Sequence, residues 1–249
     1  MKNQILRNRI GKRLNGEAFR IMMKDTEYMK NRKIATESYR QTIVRRFRKH
    51  HLAAFSLGIL LFVGLAAVLA PIIAPYDPDA MVGPFSGAPC REFLLGTDQI
   101  GRDVFSRLLY ATRVSLLVGV MATLISTVIG VALGLIAGYF GGVADMLIMR
   151  FTDMVMSFPY ILLVLVAASI FKPGLWNIIL ILGFVDWPGI ARLVRGNVLS
   201  LRETNFVKGN LVAGMPLRHI LFSEILPNTV APILVYATSV LAISMLDEA

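Results

Sequence analysis

With 249 residues, 55% of them hydrophobic, and a mean hydropathy of +0.63, the chain is too apolar for a soluble globular domain of its size. Its net charge of +10 is gathered at one end: residues 1–50 hold 15 Lys or Arg against 4 Asp or Glu, and the remainder holds 11 against 12. A single cysteine, Cys90, excludes an intrachain disulfide.

Residues 1–50 form a basic leader that ends in RRFRK at 45–49, directly before an apolar run. The leader is too long for the first region of a secretory signal, and no A-x-A-type site ends the apolar run cleanly. A cytoplasmic flank held inside by its positive charge, touching anionic lipid, is the reading that fits. A nucleic-acid-binding arm is the competing one. Residues 51–75 read as a retained anchor. Positions 52–74 carry no Asp, Glu, Lys or Arg, enough to cross a hydrocarbon core of about 30 Å, and Pro71 and Pro75 end the run.

Residues 76–113 hold nearly balanced charges, as expected of an extracytoplasmic segment. Their proline-rich start, 76–89, predicts no regular structure. Residues 94–116, LLGTDQIGRDVFSRLLYATRVSL, predict an amphipathic helix on the membrane surface, capped by Thr97 or Asp98, with Asp103 in its first turns.

Residues 114–249 form the membrane core. A second span begins at 114. Gly130, Gly134 and Gly138 recur at i+4 along it, a face that lets another helix approach closely, although a glycine-tolerant helix with no special face reads the same way. Gly141 and Gly142 mark the turn. A third span begins near 146. Arg150 and Asp153, spaced i, i+3, are placed to pair at its cytoplasmic end, and Pro159 predicts a kink. Snorkelling to the interface explains this pair more simply than a place for Asp153 on a substrate path. The fourth span, from 175 to about 194, is interrupted by Asp186–Trp187–Pro188–Gly189. A carboxylate beside a helix break at membrane depth belongs against protein or water, so Asp186 is a candidate for lining a pathway. Capping the resumed helix, or pairing with a partner subunit, are the alternatives.

The loop at 192–228 is polar, carries Arg192, Arg195, Arg202, Lys208 and Arg218, and sits between apolar runs. It predicts two short helices. Gly214 ends the first in a left-handed cap, Pro216 opens the second, and Pro227 stops it. A last span covers 229–246. The fold class is therefore all-α, a polytopic transmembrane bundle of about five spans. With the leader inside, the loop at 192–228 is cytoplasmic too.

No catalytic or metal-binding set stands out. His50, His51 and His219 are not at ligand spacing, and there is no phosphate-binding G-x-x-x-x-G-K-[ST] loop, nucleophile elbow or cysteine pair. An enzyme is not expected. Three function classes stay open: a transport subunit driven from outside, a secondary transporter or channel subunit needing no ATPase, and a membrane-anchored binding module. The second class usually shows internal repeats and mid-membrane charges, of which this chain has little beyond Asp186.

The loop resembles the cytoplasmic "EAA" loop of bacterial ABC importer permeases. Gly214, Leu226 and Pro227 are in register with that pattern, while Lys208, Gly209 and Asn210 stand in the E-A-A places and Glu224 replaces an Ile. APYDP at 74–78, LGTDQIGRDVFSRLLYATRVSL at 95–116, GYFGG at 138–142 and ARLVRGNVLSLRE at 191–203 are similar to the C-type second permease of the dipeptide, oligopeptide and nickel subfamily. The resemblance covers nearly everything from about residue 45 onward. It implies a permease subunit in a bacterial inner membrane with no cofactor of its own. It further implies a heterodimer with a second permease, two cytoplasmic ATPase subunits holding ATP and Mg, and an extracytoplasmic solute-binding protein. The ATPase-coupling residues it implies are Phe206, Val207, Lys208, Leu211, Gly214, Pro216, Leu226 and Pro227. It also implies a further span beyond the final Asp247–Glu248–Ala249.

Overall fold

The computed structural model describes Phe47 and residues 50–248. The rest of the basic leader, including its lipid-facing reading, lies outside the described residues. The chain divides into two compact units, 1–60 and 61–249. In the first, the described residues open one apolar helix, α1 (His51–Val68), which runs on into the second unit. Leu52, Leu60 and Phe62 are exposed along it, an apolar surface on every side that suits lipid rather than water.

In the second unit, a one-turn helix α2 (Ala70–Ile73), with Pro71 in its first turn, leads into residues 76–103. This segment has no helix. It is held by turns and by two isolated bridges, Met81 to Arg102 and Thr97 to Asp103. The membrane core follows as α3 (Val104–Phe140), α4 (Gly142–Ser157), α5 (Tyr160–Ile170), α6 (Leu175–Val185) and α7 (Trp187–Arg202). After the elbow come α8 (Asn205–Val212), a short α9 (Leu217–His219), a wide π-helical turn over Ile220–Ile225, and α10 (Leu226–Glu248). Among the described residues, four helices, with α6–α7 and α9–α10 each counted as one, are long and apolar enough to cross a membrane. Bent α4–α5 raises the number to five if it forms one span, in keeping with the all-α bundle expected.

Two expectations are corrected in α3 and α4–α5. No separate amphipathic helix lies over 94–116. The chain is irregular to Asp103, and α3 then runs unbroken for 37 residues into the second span. Asp103 is the N-cap, its carboxylate accepting from the Ser106 amide at 2.8 Å. Thr97 and Asp98 are occupied elsewhere: Thr97 bonds Pro84 and Gly87, and Asp98 binds arginines. At Ser157–Pro159 the chain turns through 88°, a corner rather than a kink. Phe158 and Pro159 are both extended there, which a helix cannot accommodate.

The core forms where α7 lies on α3. Gly130, Gly134 and Gly138 face Ile190, Val194 and Val198 in turn. A β-carbon built on them would fall 2.6 Å from the Ile190 Cβ, 2.7 Å from the Val194 Cβ and 2.7 Å from the Val198 Cβ. The i+4 glycine stripe is therefore an interhelical seam within the chain. Lipid tails are as apolar as these side chains, so close packing rather than water expulsion holds it. Ile190, Val194 and Val198 join Leu135, Ile220, Ile225, Ile233 and Val240 in one buried cluster. A second cluster, Val118, Ala122, Ile179 and Leu182, joins α3 to α6.

Candidate functional site

The elbow at 203–227 is built on a closed helix end. Gly214 has φ +74°, the left-handed conformation a glycine adopts at little cost. Its amide donates to Leu211 O and the Met215 amide to Asn210 O, both at 3.1 Å, so two of the last carbonyls of α8 are satisfied. Pro216 precedes α9 as its N-cap, and its carbonyl accepts from the His219 amide at 2.9 Å. Glu203 anchors the other end. The Lys208 ammonium donates to it at 2.8 Å and holds its carboxyl below the usual range.

The helix α8 has two sides. Val207 is 3% exposed and packs inward with Ile220 and Ile225. Phe206, Leu211 and Val212 are exposed, Val212 at 89%. Among the coupling residues implied by the resemblance, Phe206, Lys208, Leu211, Gly214 and Pro216 lie on the outer elbow, while Leu226 and Pro227 open α10.

Pro227 does not end the second helix, as the sequence led us to expect. The chain continues helically from Leu217 to Glu248. A proline ring collides with the carbonyl four residues back in an α-helix and cannot donate to it. Here Ile220–Ile225 open into the π-helical turn, the Leu226 amide reaching back to Leu221 O, so the helix widens just before the proline. The Asn228 side-chain amide adds a bond to Glu224 O at 2.6 Å.

Beyond the elbow, arginines of α7 reach the elements beside it. Arg195 grips Asp145 of α4 with two N–H donors, one at 2.6 Å. Arg202 donates to Tyr139 O at 2.8 Å. Arg192 donates to Asp153 at 2.7 Å, both side chains half-exposed. Asp153 is thus paired across to α7, and not with Arg150 of its own helix.

Asp186 stands between α6 and α7 without capping α7 through its side chain. Its Oδ2 accepts from the Ser244 hydroxyl of α10 at 3.1 Å. Beside it is a cavity of about 210 Å³ lined by Asp186, Tyr160, Tyr236, Phe158, Gly189 and Met156, among others. Gly189 follows Asp186 one turn later in this lining, and Asp153 lies one turn before Met156 on α4. Tyr160, Tyr236 and Ser244 escaped the sequence reading. Each is a polar group in an otherwise apolar helix, the one signal that pointed to them.

Two family models match. Residues 130–249 match "Binding-protein-dependent transport system inner membrane component", and residues 38–89 match "N-terminal TM domain of oligopeptide transport permease C". The chain is 38% identical over 202 residues to the dipeptide transport system permease protein DppC of Bacillus subtilis, covering 81% of this chain and 63% of the relative. It is 38% identical over 212 residues to DppC of Haemophilus influenzae, covering 82% and 71%. It is 37% identical over 201 residues to the oligopeptide transport system permease protein OppC of the same organism, covering 80% and 65%. The chain spans about two thirds of the length of these relatives. A multi-pass helical bundle of the inner membrane, it belongs to the family of inner membrane components of binding-protein-dependent transport systems, on the C-type peptide permease branch.

Proposed function

We propose that this chain is a permease subunit of an ATP-driven importer of short peptides. Its partners are a second permease, two cytoplasmic ATPases and an extracytoplasmic binding protein. The observation that carries this reading is the elbow: an ordered helix whose outward side exposes Phe206, Leu211 and Val212, locked at Gly214, in a chain of this family. An exposed apolar group of this kind on a folded protrusion suits a partner surface.

In this reading the elbow faces the cytoplasm and docks in a groove of an ATPase subunit. Phe206 and Leu211 fill that groove, and Val207 ties α8 to the bundle from behind. Lys208 holds the elbow through Glu203, and the Leu226–Pro227 turn passes its displacement into α10. The ATPases close on ATP, and their different affinity for the two conformations of the bundle supplies the work. No chemistry is required of this chain. Asp186 and the Asp153–Arg192 pair line the route, where charge at membrane depth meets water or protein instead of lipid.

The test is reconstitution of the whole complex in proteoliposomes. Dipeptide uptake that requires ATP and the binding protein, and is lost on replacing Phe206 and Leu211 by Asp, supports the reading. Cysteine labelling that places residue 212 outside the cell overturns it.

A further inference from the structure

The cavity beside Asp186 is lined by a carboxyl group and hydroxyls, without a basic side chain. One Asp186 oxygen accepts from Ser244, the Tyr160 hydroxyl lies close to the carboxyl group, and no Lys or Arg pairs with it among the described residues. Asp247, within reach of Asp186 electrostatically, adds a second carboxylate with no cationic partner among them. The hydroxyl of Tyr160 is buried at the cavity and has no hydrogen-bond partner in the described structure. Tyr236 and Phe158 supply further aromatic surface, with the Tyr236 ring against Gly189.

An ionised carboxylate partly withdrawn from water gains from a positive partner. A carboxylate, a free hydroxyl and aromatic rings in one small cavity are what a primary ammonium requires. The carboxylate supplies charge and a hydrogen bond, the hydroxyl oxygen accepts a second, and ring faces attract the remaining positive edge. A bare metal cation asks for more oxygen ligands than the cavity lining offers.

We propose that this cavity is the subsite for the free amino terminus of the peptide in transit, with Asp186 as its counter-ion and Tyr160 as its second acceptor. The proposal rests on the reading of the chain as a peptide permease, and it assigns the polarity with which the peptide enters: amino group toward Asp186. The Arg192–Asp153 pair lies about 9 Å further along α7, six residues at 1.5 Å each. That is the reach of a peptide of two or three residues.

The test uses the whole complex in nanodiscs without the binding protein, so that selection by that protein does not enter. Binding of radiolabelled dialanine is competed with unlabelled dialanine and with N-acetyl-dialanine, which lacks the ammonium. The wild type is expected to bind dialanine at least tenfold more tightly than its acetylated form. Asp186→Asn is expected to make the two equal, and Tyr160→Phe, which keeps the ring, to narrow the difference a few-fold. Unchanged discrimination in Asp186→Asn, or none in the wild type, overturns the proposal, as does competition by sodium ions alone. ATP-dependent uptake in proteoliposomes is measured alongside. Its absence while discrimination persists would count against the importer reading and leave the ammonium subsite standing.

Discussion

The sharpest test of the packing is Gly134→Ala. The added methyl would stand 2.6 Å from the Ala191 carbonyl oxygen and 2.7 Å from the Val194 Cβ, and both neighbours belong to a buried helix face. Carbon atoms rest at about 3.5–4.0 Å, so α3 and α7 must separate locally by roughly 1 Å. Overpacking of this sort costs about 1–3 kcal/mol. Alanine also favours a helix over glycine by up to about 1 kcal/mol, which would mask part of the loss. Gly64→Ala removes that ambiguity. It lies within α1 and has nothing within 4 Å of its β-carbon, so it carries the propensity gain without the clash. The difference between the two variants is the packing term alone. One to three kcal/mol corresponds to roughly a 5- to 150-fold change in the folded-to-unfolded ratio. Reversible unfolding of the purified chain by SDS in mixed micelles reads this ratio. Equal stability of Gly134→Ala and Gly64→Ala would refute the seam.

Gly214→Val places a β-branched residue at φ +74°, with a strain of about 1–2 kcal/mol or more, and is expected to uncouple ATP hydrolysis from uptake while the chain still inserts. Measuring both rates in the same proteoliposomes checks this, and normal uptake would count against it. Arg195→Ala leaves Asp145 unpaired. Because the pair is partly solvated, the expected loss is about 1–3 kcal/mol, less than for a fully buried pair, read by the same SDS titration. Asp98 accepts from the Arg102 and Ile100 amides and from the Arg102 and Arg107 side chains. The Arg102 backbone bond leads in holding its carboxyl well below the usual carboxylate range. Its folded pKa is therefore below the unfolded one. Its stabilisation is complete above the ordinary range near 3.8 and disappears only as pH falls through the depressed value. Amide exchange at Ile100 and Arg102 should stay protected down to pH 4 in the wild type and be faster throughout in Asp98→Asn.

Local rules in this chain were legible where they acted alone. An uncharged run long enough for a bilayer, a glycine before a proline and a stripe at i+4 each carry their physics in the neighbouring residues. The helix end at Gly214 and the interhelical use of Gly130, Gly134 and Gly138 were readable for that reason. Asp98 and Asp103 were not separable, because either can cap a helix. Arginines at 102 and 107 decide which one is taken up by the loop. The partner of Asp153 lies 39 residues away, beyond any reading of its own helix. Asp186 was visible as a misplaced charge, but the cavity beside it exists only after α4–α5, α7 and α10 converge. Pro227 obeyed its rule locally. The turn before it widened, and the helix continued.

That widened turn sets the clock of the last helix. Ile220–Ile225 spends one residue more on its turn than an ordinary screw would, and everything downstream is indexed to it. Closing it to an ordinary α-turn with no residue removed would re-aim Ile233, Val240 and Ser244 by about 100°, whereas excising one residue as the screw tightens would leave their facing unchanged. The grip of Ser244 on Asp186 is therefore set from some twenty residues away, by the match between the width of this turn and the number of residues it holds.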